Sequence, residues 1–434
     1  MTATSLNTTS LDTTSLNTTS LDTTSLDTAA RNTVRNTAAP ASSEADITAL
    51  ESGRLDRLRA SLAAAECDAG VFYDPINIRY ATGTSNMQVY SLHNPCRYAY
   101  VPVVGPVVLF DFKGCEHLSD GHHNVAEVRS AISWYHFVAG PRVEEFASNW
   151  AHEIVALLGP STTGRRRLAV DRLDPAGLHA LERLGVEVID GQAVADRAKV
   201  IKTPEEIDAI RRAMTSCDHG IARMRAALRP GITEQQLWSH LHAANIESGG
   251  EWFETRLLTS GQHTNPWYQE CSNKIIDNGD LVAFDTDMIG VGGYSIDISR
   301  TWLAGDQAPT DEQRRIYDAA YQQVQHNIEL MQPGTAFRDI VEHALLPPEP
   351  YHSLTNACIA HGIGFCNEYP LILTKDHFDT AGYDGVIEVG MVLCVESLAS
   401  EAGGRESVKL EQQILVTNDG PVVLSRTPLA DTPT

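Results

Sequence analysis

The sequence predicts an α+β protein whose first half is α/β, on three observations. Short apolar runs alternate with helical stretches up to about residue 195. A strongly capped amphipathic helix then opens a second half at Thr203. Strands dominate after about residue 252, and several carry acids where a buried strand would carry apolar side chains. The 434 residues are enough for two domains with sizeable cores, expected at 46–198 and 199–434.

The chain begins with a five-residue repeat, "TSLNTTSLDTTSLNTTSLDTTSLDT". It lacks the basic and apolar regions of a signal peptide. One Leu per repeat buries too little surface to offset chain entropy, so residues 1–45 are expected to be disordered. The sequons at Asn7 and Asn17 are then incidental. "ITALESGRLDRLRASLAAAECD" has helical spacing, with Asp46 as a possible cap. "AGVFYD", "RYAYVPVV", "PVVLFDF", "RRLAVDRL" and "GVEVIDG" read as strands, and "PRVEEFASNWAHEIVALLG" as a helix between them. In "IKTPEEIDAIRRAMTSCDHGIARMRAAL", Thr203 suits the N-cap, Pro204 the first helical position, and Glu206 completes a capping box. "TEQQLWSHLHAANIESG" and "TDEQRRIYDAAYQQVQHNIELM" are further helices. "LVAFDTDMIGVGGYSIDISRTWL", "GMVLCVES" and "VKLEQQILVT" are strands.

Charge and cysteines narrow the function classes. With 56 acidic and 33 basic residues the chain carries −23. That disfavours nucleic acid and anionic membrane, which need clustered Lys and Arg. No apolar run approaches the ~20 residues of a membrane span. Eight scattered cysteines without a CxxC pair suit a reducing cytoplasm better than a disulfide framework. Cys366 is a nucleophile candidate by position alone and reads first as a packing residue.

The chemistry concentrates in the acid-bearing strands. Asp285 and Asp297 flank a turn with glycines at 290, 292 and 293. A hairpin would bring both carboxylates to one face, where they need a cation or a shared proton. Alone the pair says little. His361 adds an imidazole at the start of "HGIG". Glu396 ends the apolar strand "GMVLCVES", and Glu411 interrupts "VKLEQQILV". A buried carboxylate is costly unless paired or metal-bound. Four carboxylates match the charge of two divalent cations, and a water between such ions is acidified.

The order Asp285, Asp297, His361, Glu396, Glu411, with "KTPEEIDAIRRA", "HGIG" and "VKLEQQILVT" around it, resembles the pita-bread superfamily of methionine aminopeptidase, aminopeptidase P, prolidase and creatinase. "DPINIRYATG" resembles the creatinase-type N-terminal domain, so the likeness runs from about residue 50 to 425. It implies a C-terminal pita-bread domain, two divalent metal ions and a homodimer. Within the superfamily, "YDPINIRYATGTSNMQVY", "NPCRYAYVPVVGPVVLFDF", "TNPWYQEC" and "HGIGFCNEYP" resemble the dimethylsulfoniopropionate (DMSP) lyases of the DddP type. That branch implies iron, with manganese or zinc as alternatives, and a further acidic ligand at Asp287. It also implies β-elimination of dimethyl sulfide from a small sulfonium substrate. Trp267 and Tyr268 are candidates to hold the sulfonium.

Two departures bear on mechanism. The branch carries an aspartate, its proton-abstracting base, where this chain has Asn367, and a substrate-contacting tyrosine where it has Asn356. The histidines of the exopeptidases are also missing, with His263 a possible substitute. Several readings stay open. Another base, Glu368 or a metal-acidified water, serves a lyase. The substrate differs and the protein is an amidohydrolase or Xaa-Pro-type aminopeptidase. Asn367 is an engineered inactivating change. Or the protein is a catalytically weak binding or scaffold member of the same fold.

Overall fold

The computed structural model describes residues 44–160, 164–351, 357–401 and 403–429. The N-terminal repeat and Asn356 lie outside the described residues. A helix Glu44–Ala64 leads into a six-stranded mixed sheet: β1 Ala69–Phe72, β2 Tyr98–Pro102, β3 Val107–Asp111, β4 Val125–Ser130, β5 Arg166–Val170 and β6 Val186–Asp190. Their order is β4-β3-β2-β1-β5-β6. The pairs β3–β4, β1–β5 and β5–β6 are parallel, and β1–β2 and β2–β3 antiparallel. The helix starts ahead of Asp46, so that residue is not its cap. Helix Gly191–Lys199, capped by Asp190, ends this half.

Helix Pro204–Ala227 opens the second half with the expected capping box between Thr203 and Glu206. Helix Glu234–Glu247 packs on it, also boxed, by Thr233 and Gln236. The strands that follow are β7 Leu258–Ser260, β8 Leu281–Asp285, β9 Met288–Ile289, β10 Ser295–Ile296 and β11 Ser299–Leu303, then β12 Cys358–Ile363, β13 Asn367–Leu373, β14 Val392–Ser400, β15 Ser407–Thr417 and β16 Gly420–Val423. They form a three-stranded sheet β11-β8-β7, the small pair β10-β9, and a five-stranded sheet β13-β12-β14-β15-β16. The five-stranded sheet is antiparallel throughout.

Two apolar clusters sandwich these sheets. One joins residues of both halves of the chain, among them Leu58, Phe72, Ile210, Leu241 and Phe284. The other packs helix Asp311–Leu330, through Ile316, Ala320 and Val324, under β14 and β15. No described helix is long and apolar enough to cross a membrane.

Candidate metal centre and its cavity

The expected hairpin forms, and it carries the first three acids. Asp285 pairs with Ser299 across β8 and β11, and Ile289 with Ser295 across β9 and β10. Between those pairs Asp287 and Asp297 come together, and one carboxylate oxygen each from Asp285, Asp287 and Asp297 lie within 4.8 Å of one another. The turn needs its glycines. Gly292 and Gly293 have φ of 75° and 80°, and a Cβ on Gly293 would meet the Arg79 guanidinium at 2.2 Å. Asp287 itself holds φ at 36°, a conformation costly for a non-glycine residue and typical of functional sites.

The five-stranded sheet supplies the rest by register. His361 pairs with Cys394, Cys394 with Gln413, and Glu396 with Glu411. Paired residues share a face, so the imidazole and both glutamates rise beside the hairpin acids. His361 Nε2 lies 3.7 Å from Asp297, 3.5 Å from Glu396 and 3.5 Å from Glu411. Its Nδ1 is 3.1 Å from the Gly362 carbonyl oxygen. An Nδ1–H donated there leaves Nε2 bare as a ligand. Asp297 belongs to both donor groups, the second being Asp297, His361, Cys394 and Glu411, as a residue shared between two ions would.

The electrostatics are those of a cation site. Burial, then Asp285, pushes Asp287 up to about 7. Burial and the neighbouring carboxylates also hold Asp297 well above the usual range. Burial opposes charge on His361, but Glu411 and Glu396 outweigh it and raise the imidazole to about 9. Asp297 Oδ1 and Glu411 Oε1 are buried without a hydrogen-bond partner among the described residues. These orphaned acceptors, with the bare imidazole nitrogen, fit a set of metal donors.

Three residues of the centre escaped the sequence reading. Lys409 is buried, with Nζ 2.7 Å from Glu411, 3.1 Å from Glu396 and 3.3 Å from Asp285. Burial disfavours its charge, but those carboxylates keep the ammonium well above its ordinary range. Ser299 Oγ contacts both Asp285 Oδ1 and Glu411 Oε2 at 2.8 Å. Cys394 Sγ donates to the Asp297 carbonyl at 3.4 Å. Strand alternation was the available signal for Lys409, which stands two residues before Glu411 and so on the same face. With Asp287 included, five carboxylates against one ammonium leave four negative charges, which two divalent cations balance.

The centre opens into a cavity of about 870 Å³ lined also by Asp196, Thr255, Tyr268, Asn367, Glu368, Tyr369 and Tyr383. Asn367 is in the wall, at the start of β13. Glu368 lines it too, but both its oxygens are engaged, Oε2 by Lys202 Nζ at 2.7 Å and Oε1 by the Phe365 amide at 3.0 Å. Tyr268 is 66% exposed and faces the cavity. Trp267 does not: its ring packs in a buried cluster with Leu257, Ala283 and Leu398, because the chain reverses face between adjacent residues, with φ at Tyr268 of 75°. His263 is also away from the cavity lining, on a turn where its Nδ1 lies 3.7 Å from Glu234. Cys366 is not a lining residue, and burial pushes its thiol up to about 12, which removes the nucleophile reading.

Comparison with known proteins agrees with this geometry. Residues 54–211 match the creatinase/prolidase N-terminal domain and 208–418 match metallopeptidase family M24. The dimethylsulfoniopropionate lyase DddP of Roseobacter denitrificans is 37% identical over 388 residues, 88% of this chain and 87% of the relative. The chain belongs to the M24 family, on its DddP branch. A second DddP lyase of that branch, from Roseovarius nubinhibens, is 38% identical over 86% of this chain and 85% of its own. Among solved structures, an Xaa-Pro dipeptidase from Bacillus anthracis superposes with a TM-score of 0.70 at 20% identity, covering 88% of this chain and 99% of its own. At that identity the likeness shows the pita-bread fold alone.

Proposed function

We propose that the protein is a lyase that cleaves dimethylsulfoniopropionate to dimethyl sulfide and acrylate with two divalent metal ions. The observation that carries this reading is the cavity wall. Seven acids, one histidine and three tyrosines line it, with no lysine or arginine among the described lining residues. Such a wall suits a substrate with a permanent cation. Tyr369 and Tyr383 stack with ring centroids 5.5 Å apart, and with Tyr268 they offer faces to a sulfonium. The likeness to two DddP lyases over most of the chain supports the same substrate.

Asp285, Asp287, Asp297, His361, Glu396 and Glu411 would hold the ions, iron first on the family resemblance. Bound metal would supply positive charge to the substrate carboxylate and to the enolate-like charge that develops beside it. Lys409 and Ser299 orient Glu411. Asn367 presents an amide to the cavity, able to hydrogen-bond substrate but not to take a proton near neutral pH.

We also take the chain to be two domains, 46–198 and 199–434, because the two family matches meet at 208–211. A cytoplasmic homodimer fits eight free cysteines and the exposed apolar side chains of Met87, Val89, Tyr90, Phe137 and Val138.

The test is headspace dimethyl sulfide and dissolved acrylate from protein of known metal content given DMSP, beside Xaa-Pro dipeptides. Equal release of both products is expected. Cleavage of the dipeptides without sulfide would replace this reading with the hydrolase one. Inactivity toward both at full metal content would leave the scaffold reading.

A further inference from the structure

A lyase of this kind needs a proton acceptor, and Asn367 is not one. We propose that Asp196 is the catalytic base, a carboxylate reaching the cavity from the N-terminal half of the chain. This assignment rests on the lyase reading above.

Of the seven acids in the cavity wall, five belong to the metal centre, which leaves Asp196 and Glu368. Glu368 has a buried side chain with an ion pair on one oxygen and a backbone amide on the other. It is built to hold β13 against Lys202, not to move toward a substrate. Asp196 is arranged differently. Its side chain is 32% exposed. Oδ1 accepts from Gln192 Nε2 at 2.9 Å and from Lys199 Nζ at 3.1 Å. Oδ2 has no hydrogen-bond partner among the described residues. One oxygen is oriented and the other is free, the arrangement a general base needs.

The orienting groups are themselves fixed. Buried Lys199 also donates to Asn77 Oδ1 at 3.2 Å. Asn77 Nδ2 donates to Gln192 Oε1 at 3.1 Å and to Asp171 Oδ2 at 3.0 Å. The chain of contacts closes from the six-stranded sheet through helix Gly191–Lys199 back to Asp196. Asp196 and Tyr369 also line a second cavity of about 580 Å³. A carboxylate at the junction of the two cavities can exchange its proton with solvent without passing the metal centre.

The step balances. Asp196 Oδ2 takes the proton from the carbon next to the substrate carboxylate. The electron pair left there forms the carbon–carbon double bond as the bond from the β-carbon to sulfur breaks. That bond's pair leaves with dimethyl sulfide, acrylate remains, and Asp196 returns the proton to water.

The experiment compares dimethyl sulfide release by the wild type, Asp196→Asn, Asp196→Glu, Asn367→Asp and the Asp196→Asn/Asn367→Asp double variant. Metal content and Tm are measured for each. Asp196→Asn should lose about 100-fold or more of kcat with metal content retained, and Asp196→Glu should keep more activity than Asp196→Asn. Adding Asn367→Asp to Asp196→Asn should recover at least about tenfold, which a merely misfolded variant could not do. Asp196→Asn within about threefold of an active wild type overturns the assignment alone, as does a double variant with no recovery. A fully metallated wild type that releases no sulfide overturns the lyase reading and this assignment with it.

Discussion

Lys409 bears on the charge of the centre, because its ammonium is paired with three of the five carboxylates. Removing one partner of a buried pair leaves the others unpaired, at a cost of about 3–5 kcal/mol. Lys409→Met should therefore lower the Tm of chelator-treated protein sharply, and lower that of metal-loaded protein much less. Calorimetry with and without chelator checks this, and equal losses in both states would count against it. Asp287 gives the matching pH dependence. Its folded pKa of about 7 stands above an unfolded value of about 3.9, so the metal-free fold holds a proton that the unfolded chain releases. That contribution to stability is complete below about pH 4 and is lost as pH rises through about 7. Metal replaces the proton, so the rise in Tm on adding divalent ions should be greater at about pH 8 than at about pH 5.5. A rise independent of pH would remove this account. On the substrate side, Tyr369→Leu should raise KM for DMSP about fivefold to thirtyfold, the loss of ~1–2 kcal/mol of cation–π attraction; an unchanged KM would move the sulfonium elsewhere. At this scale the sequence offered Glu396 and Glu411 as acids out of place in apolar strands, Asp285 and Asp297 as acids across a glycine turn, and Asp287 by resemblance alone; the structure brings all of them to one place with His361. Trp267 and Tyr268 were not separable, because adjacent aromatics differ only in which way the backbone turns.

The hairpin from Leu281 to Leu303 is the element that makes the centre possible. It brings acids twelve residues apart to one place through a turn with two left-handed glycines. Gly293→Ala forces a side chain into that conformation at about 1–2 kcal/mol and presses on Arg79, which is paired with Glu251 at 2.5 Å. Thermal melting should fall accordingly and metal affinity should weaken, since Asp287 and Asp297 flank the turn. A variant with unchanged melting and metal titration would show that the hairpin has more freedom than its geometry implies. Caps and turns of this kind were readable in advance, as the box at Thr203 and Glu206 illustrates. The start of the first helix was not. Its Asp46 reads as a cap in sequence, yet the helix continues past it toward the N-terminus, and local propensity has no term for that choice.

Across the whole molecule the two halves share one apolar cluster, with Leu58 and Phe72 from the first and Ile210 and Phe284 from the second. The fragment 199–434 would expose that surface and lose Asp196, so it should show no cooperative melt and bind no stoichiometric metal; a folded, two-metal fragment would contradict the shared core. This interdependence was invisible in the sequence, where the alternation before residue 195 reads as a self-sufficient α/β unit. The charge count at the centre reaches further than the fold. Once the protons held by Asp287 and His361 have left, the donors present four negative charges to the first ion and two to the next. Loading is therefore stepwise, the first equivalent held far more tightly than the second. A preparation washed with chelator should settle at a half-filled form, and turnover should follow the weaker equivalent as it returns.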